Sequence, residues 1–172
     1  MHIMIDLETL GINPTAPIIT IGAVRFDRYG SQDSFYANVD LKSAVESGAI
    51  IEPDTVMWWL QQSEEARDAL MLSGESITEV LEGFREWIDK QDVKGVWGNS
   101  SAFDNVILAQ AYKRLGMEVP WHFGKDRCYR TVKNMAPYVQ INRTGTHHNA
   151  LDDAAAQVNH LIRINEACKN FL

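Results

Sequence analysis

Five side chains in this sequence could together carry out hydrolysis: Asp6 and Glu8 near the start, Asp104 beyond the middle, and His148 and Asp153 near the end. Clustered carboxylates repel one another unless a cation lies between them, so such a cluster is a natural seat for a divalent ion. Their hard oxygen atoms favour Mg²⁺ or Mn²⁺ over zinc. An imidazole with an ordinary pKa near ~6.5 can take a proton from water at neutral pH. Acids and base together are the ingredients of a phosphodiester-cleaving centre built on two divalent ions.

Each piece alone has a plainer explanation. Asp6 and Glu8 lie two apart in an apolar stretch, so on a strand both project from one face while Leu7 points into the core. Two solvated acids at a strand end would give the same pattern. Asp104 falls in the first turn of an expected helix, where the macrodipole favours any acid. Asp152 and Asp153 are equally ordinary first-turn acids, and His147 and His148 read as an exposed polar pair. Spacing does not choose the register, because His147 and Asp152 are also five apart.

The elements that must position these groups follow from pattern. Residues 2–7 suit a strand, ended by Gly11-Ile12-Asn13-Pro14. Residues 17–27 and 34–39 suit two more strands, turning at Tyr29-Gly30-Ser31 to give an antiparallel meander. Residues 41–49 show no clear preference. Glu52-Pro53-Asp54-Thr55 opens a helical stretch that runs over 56–72 with a break near Ser63. Ser76 and Glu79 have capping-box spacing, and Ile77, Val80, Leu81, Phe84, Trp87 and Ile88 keep the helical period. Residues 93–98 suit a strand, 102–115 a helix closed by Gly116, 130–135 a short helix and 137–145 a loop. The last helix is expected over 149–168, with Ala150, Ala154, Val158, Leu161 and Ile162 on one face. The sum is an α/β fold, a mixed central sheet flanked by helices, in one domain over residues 1–172.

Composition narrows the function classes. The net charge of −7 argues against a broad basic surface that grips duplex nucleic acid. It leaves room for ions on carboxylates to hold a phosphate locally. Lys125, Arg127, Arg130 and Lys133 form the densest basic run, fit either for phosphate contacts or for a solvated, ion-paired face. Trp58 and Trp59 point about 100° apart on a helix; both are expected to pack, and the alternative for the outward one is stacking on a base. The two cysteines, Cys128 and Cys168, lack ligand spacing, which fits reduced thiols in a cytoplasmic protein. No membrane span or signal peptide is expected.

Taken together, the segments resemble the DEDDh branch of the proofreading (DnaQ-like) 3′–5′ exonuclease superfamily. Its D-x-E-T motif is matched by Asp6, Glu8 and Thr9, its aromatic-Asp motif by Phe103-Asp104, and its H-x-A-x-x-D motif by His148-Asn149-Ala150-Leu151-Asp152-Asp153. That alignment selects His148 and Asp153 and leaves His147 and Asp152 as neighbours. The stretch Asp54-Thr55-Val56-Met57-Trp58-Trp59-Leu60 looks most like small phage and prophage exonucleases and 3′–5′ exoribonuclease-like domains.

The resemblance implies an RNase H-like fold and release of nucleoside 5′-monophosphates from single-stranded 3′ ends with two Mg²⁺ or Mn²⁺ ions. Asp6, Glu8 and Asp153 would hold one ion, Asp6 would reach the second, and Asp104 would help directly or through water. His148 would deprotonate the attacking water. Thr9 and the backbone near Leu7 would hold the terminal 3′ hydroxyl, and Leu10 would either wedge against the last base or pack in the core. Asn99, as a polar positioning group, and Phe103, as a packing anchor, complete the expected contacts. The resemblance also raises a homodimer. DNA and RNA are not distinguished at this level. The rival readings are a metal-dependent nuclease of similar fold that cuts internally, and a non-catalytic nucleic-acid-binding module.

Overall fold

Strand β1, His2–Thr9, alternates its side chains between two helical layers and so sets the frame of the molecule. The computed structural model describes residues 1–88, 93–142 and 148–168. His147, the alternative base, and the end of the expected 137–145 loop lie outside the described residues. β2 is Ile18–Asp27, β3 Gly30–Asn38, β4 Gly95–Gly98 and β5 Asp126–Cys128. They form a five-stranded sheet in the order β3-β2-β1-β4-β5. β1–β2 and β2–β3 pair antiparallel, whereas β4 runs parallel to both β1 and β5.

Two strands are longer than their patterns suggest. β1 continues through Glu8 and Thr9, which pair with Thr20 and Ile18 across an irregularity. β3 starts at Gly30, so the turn shrinks to Arg28 and Tyr29. β5 has no signature in the sequence: Asp126-Arg127-Cys128 lacks apolar alternation. Side-chain hydrogen bonds hold it instead. Asn105 Nδ2 donates to Val96 O at 3.0 Å and to Asp126 Oδ1 at 2.8 Å, and Trp121 Nε1 donates to the same carboxylate oxygen at 2.8 Å.

The helices are α1 Leu41–Glu46, α2 Pro53–Trp59, α3 Glu64–Leu70, α4 Ile77–Ile88, α5 Asp104–Arg114, α6 Tyr129–Met135 and α7 Ala150–Ala167, with a 3₁₀ turn at Phe123–Lys125. The ambiguous stretch at 41–49 resolves into α1 because Asp40 caps it, accepting from Ser43 N at 2.8 Å. The expected break near Ser63 separates α2 from α3, with Ser63 as the cap of α3. The capping box of α4 forms: Ser76 N donates to Glu79 Oε2 at 3.0 Å, and Glu79 N donates to Ser76 Oγ at 3.3 Å.

Ile3, Ile5 and Leu7 pack with Val80, Leu81 and Phe84 of α4 and Ile107 and Leu108 of α5 on one side of the sheet. Met4, Val24, Phe26 and Trp97 pack with Val158 and Leu161 of α7 on the other. Asp6 and Glu8 share the period of Met4, so they face the layer that holds α7. Among the described residues, no helix is long and apolar enough to cross a membrane.

Candidate active site

Two glycines let acid-bearing helices approach β1. Gly22 pairs with Asp6 across β1–β2, and a Cβ there would lie 2.3 Å from the Ala150 carbonyl carbon and 2.4 Å from Leu151 N. Only glycine allows the first turn of α7 to rest on the sheet at that point. A Cβ at Gly98 would meet Asn105 Oδ1 at 2.5 Å and Asp104 Cβ at 2.8 Å, so Gly98 likewise admits the start of α5. Asp153 and Asp104 thereby arrive beside Asp6 and Glu8.

Asn149 caps α7, its Oδ1 accepting from Leu151 N at 3.1 Å and Asp152 N at 3.2 Å. His148 precedes it in the left-handed region, at φ 64°, and its backbone N–H donates to Asp153 Oδ2 at 3.0 Å. Histidine is among the residues that tolerate this conformation better than most. The imidazole lies edge-on to Trp58 and Trp59, with ring centroids 5.0 and 5.9 Å away. Trp59 is buried, and its Nε1 donates to Thr9 O at 2.9 Å, which ties α2 to the end of β1. Trp58 is 42% exposed and lines the cleft. One tryptophan packs as expected, and the other presents a ring beside the histidine.

One ligand atom each from Glu8, His148 and Asp153 lies within 4.8 Å of the others. Asp6 sits in the same cleft, its Oδ1 accepting from Gln157 Nε2 at 2.7 Å. Asp104 Oδ2 accepts from Ser100 N at 3.1 Å. The cleft encloses about 910 Å³.

Four buried carboxyl groups converge here, with Asp6, Glu8, Asp104 and Asp153 each at most 9% exposed. Burial, then the negative charges of Asp104, Glu8 and Asp153, pushes the Asp6 carboxyl well above the usual carboxylate range. Burial, with Asp153 and Asp104, pushes Glu8 up to about 9. Burial pushes Asp104 up to about 7, against the pull of backbone N–H groups at Ser100 and Leu7 and the charge of Arg130. Such a site without its cation is frustrated electrostatically.

The frustration has a measurable consequence. Glu8 and Asp104 keep protons in the folded state that they release at 4.5 and 3.8 when unfolded. Their stabilising contribution is present below those values and is lost as pH rises through about 7 and about 9. His2, lowered to about 4 mainly by burial, acts in the opposite sense, but only below pH 6.5. The melting temperature in EDTA is therefore expected to fall between pH 6.5 and 9, and Glu8→Gln should flatten the fall. Mn²⁺ at about 100 times its Kd should add ~2.7 kcal/mol, roughly 5–10 °C for a chain of this size. A flat or rising EDTA profile in thermal unfolding would contradict the assignment.

Of the residues singled out from sequence, Asp6, Leu7, Glu8, Thr9, Asn99, Phe103, Asp104, His148 and Asp153 all line the cleft. Leu10 does not: its backbone is tied to Pro17 O and Glu52 N, and its side chain is half-buried outside the lining. Asp152 is also outside it, whereas Asp153 lines it. From the basic run, Arg130 alone lines the cleft. Arg127 is spent on Gly124 O and Asp126 O at 2.9 and 2.8 Å. Sequence reasoning missed Gln157, whose signal was its place four residues after Asp153 on one helical face. It also missed Ser100 and the α2 wall formed by Pro53, Asp54 and Thr55.

Comparison with known proteins places this fold. The nuclease domain of 3′hExo, a DEDDh family member bound to rAMP, superposes with a TM-score of 0.63 at 14% identity, covering 96% of this chain and 91% of that one. Exonuclease X in complex with 5′-overhanging duplex DNA gives 0.60 at 20% identity, covering 97% and 92%. Exonuclease I of E. coli, in complex with a 5cy-dA13 oligonucleotide, gives 0.60 at 15% identity, covering 96% of this chain but 39% of that one. These likenesses establish the RNase H-like fold of DEDDh exonucleases. No curated protein sequence matches this chain. The sequence profile of the 3′–5′ exoribonuclease Rv2179c-like domain matches residues 1–165, so the chain belongs to that family and is a 3′–5′ exonuclease domain.

Proposed function

We propose that residues 1–172 act as a single domain that removes nucleoside 5′-monophosphates from single-stranded 3′ ends using two Mg²⁺ or Mn²⁺ ions. The observation that carries this reading is the convergence of four buried carboxyl groups and one imidazole on a cleft of about 910 Å³. The donor set of Asp6, Glu8, Asp104 and Asp153 fits the ions: it is hard oxygen throughout, and its mutual repulsion calls for positive charge. Gln157 Oε1, buried without a hydrogen-bond partner, adds a further neutral oxygen beside them.

When bound, the ions supply positive charge for the scissile phosphate and for the leaving 3′ oxygen. Asp6, Glu8 and Asp153 are the residues that would hold them, with Asp104 assisting from the start of α5. His148, held between the tryptophan rings and Asp153, would take the proton from the attacking water. Thr9 and the backbone at Leu7 would receive the terminal 3′ hydroxyl. Phe103 and Asn99 also line the cleft, as does Arg130, which would contact an incoming phosphate.

The partner class is 3′ ends of RNA or DNA, and the family description supports RNA as the faster substrate. Two unpaired cysteines support a reducing, cytoplasmic setting. The kinship with phage and prophage exonucleases and the homodimer stay within this proposal, supported by the sequence resemblance alone. Crystals soaked in Mn²⁺ should show two anomalous peaks ~3.5–4 Å apart among Asp6, Glu8, Asp104 and Asp153. Peaks at other residues, or none at saturating Mn²⁺, would refute the ligand assignment.

A further inference from the structure

Gln157 is a buried polar residue whose amide nitrogen, Nε2, the site as proposed leaves without a role. It projects from α7 one turn beyond Asp153, is 3% exposed, and donates from Nε2 to Asp6 Oδ1 at 2.7 Å. With an ion bound, the Asp6 carboxylate is ionised and only accepts hydrogen bonds, so the NH₂ end of the amide is the end that suits Asp6. The other end, Oε1, is buried with no hydrogen-bond partner. A buried carbonyl oxygen without a protein partner demands explanation, and an ion or its hydration shell satisfies one readily.

Asp6 has particular need of a tether. It lies on the central strand with Glu8, Asp104 and Asp153 around it, all of which repel its carboxylate. Nothing in that repulsion fixes the torsion of the carboxylate plane. A single hydrogen bond from a side chain locked in the α7–β1 interface does fix it. Groups that orient a metal ligand in this way contribute about 10–100-fold to metal affinity.

We propose that Gln157 is the positioning residue of the cation site: it fixes the Asp6 carboxylate through Nε2, and its buried Oε1 is left as a neutral oxygen on the same amide. This rests on the reading of Asp6 as a metal ligand. Because glutamine carries no charge, it orients Asp6 without adding a fifth acid to a site already crowded with negative charge. It also couples the docking of α7 to the geometry of β1, so the same residue that packs the helix sets the ligand.

The test is calorimetric titration of Mn²⁺ into the metal-free protein, for wild type, Asp6→Asn, Gln157→Leu and Gln157→Met. Leucine removes both polar ends, and methionine keeps the length should leucine prevent folding. The expected result is Mn²⁺ binding weakened about 10–100-fold in the folded Gln157 variants. In assays, the Mg²⁺ needed for half-maximal rate should rise while the KM for a single strand stays the same. A purely structural glutamine would lower the melting temperature and leave Mn²⁺ affinity unmoved; affinity within twofold of wild type overturns the proposal. Wild type and Asp6→Asn binding Mn²⁺ equally would instead overturn the reading of Asp6 as a ligand.

Discussion

Asp6→Ala and Asp153→Ala are each expected to lose cleavage by at least about 10³-fold while the protein remains folded. The magnitude follows from the role. An ion that contributes several kcal/mol to transition-state charge is lost with its ligand, and each 1.4 kcal/mol is tenfold in rate. Folding should survive because each substitution removes one member of a buried, mutually repelling set. The two variants differ in what they leave behind. Asp6→Ala orphans Gln157 Nε2, and Asp153→Ala orphans the backbone N–H of His148. An orphaned buried donor costs about 1–3 kcal/mol, which offsets the relief of repulsion. Asp6→Asn and Asp153→Asn keep an oxygen acceptor at each place and should melt, in EDTA, at or above the wild-type temperature. Initial rates in Mg²⁺ together with melting curves in EDTA check both halves. Turnover near the wild-type rate in either variant would remove the basis for the ion site.

Substitution of His148 should lower the rate by roughly 10²–10⁴, the usual contribution of a general base. The imidazole sits within 4.8 Å of Glu8 and Asp153 ligand atoms, with two tryptophan rings against its edge. That enclosure leaves it few orientations, which suits proton transfer at a fixed point. The backbone complicates a simple alanine replacement, because residue 148 lies at φ 64°. Asparagine tolerates that region and supplies no base, so His148→Asn separates loss of the base from loss of the turn. Mn²⁺ affinity should stay within a few fold in this variant. A collapse of affinity would make His148 a ligand rather than a base. His147→Ala should have a much smaller effect, and the reverse ranking would move the base by one residue.

The acids were legible because their motifs combine strand period with helix start. Asp6 and Glu8 sit two apart on a strand, Asp104 opens α5 and Asp153 lies in the first turn of α7, as their patterns indicate. The apolar faces of α4 and α7 were equally plain, since burial at helical spacing leaves a periodic trace. Other parts left no local trace. β5 is three polar-flanked residues held by Asn105 and Trp121 from elsewhere in the chain. Leu10 follows the acid motif directly yet lies outside the cleft, because its backbone bonds to Pro17 and Glu52 fix the chain's exit from β1. The closeness that Gly22 and Gly98 allow is a tertiary fact, and the α2 wall arrives by the Trp59–Thr9 hydrogen bond. Local pattern reports period and caps; it does not report which distant backbone a glycine must admit.

The most direct test of the central claim uses 5′-labelled single strands of RNA and DNA of one sequence, followed over time in Mg²⁺, Mn²⁺ or EDTA. The expected result is a ladder that shortens one nucleotide at a time from the 3′ end in either metal, with RNA the faster substrate and no change in EDTA. Internal fragments at the earliest times, or undiminished cleavage in EDTA, would contradict a metal-dependent 3′–5′ exonuclease.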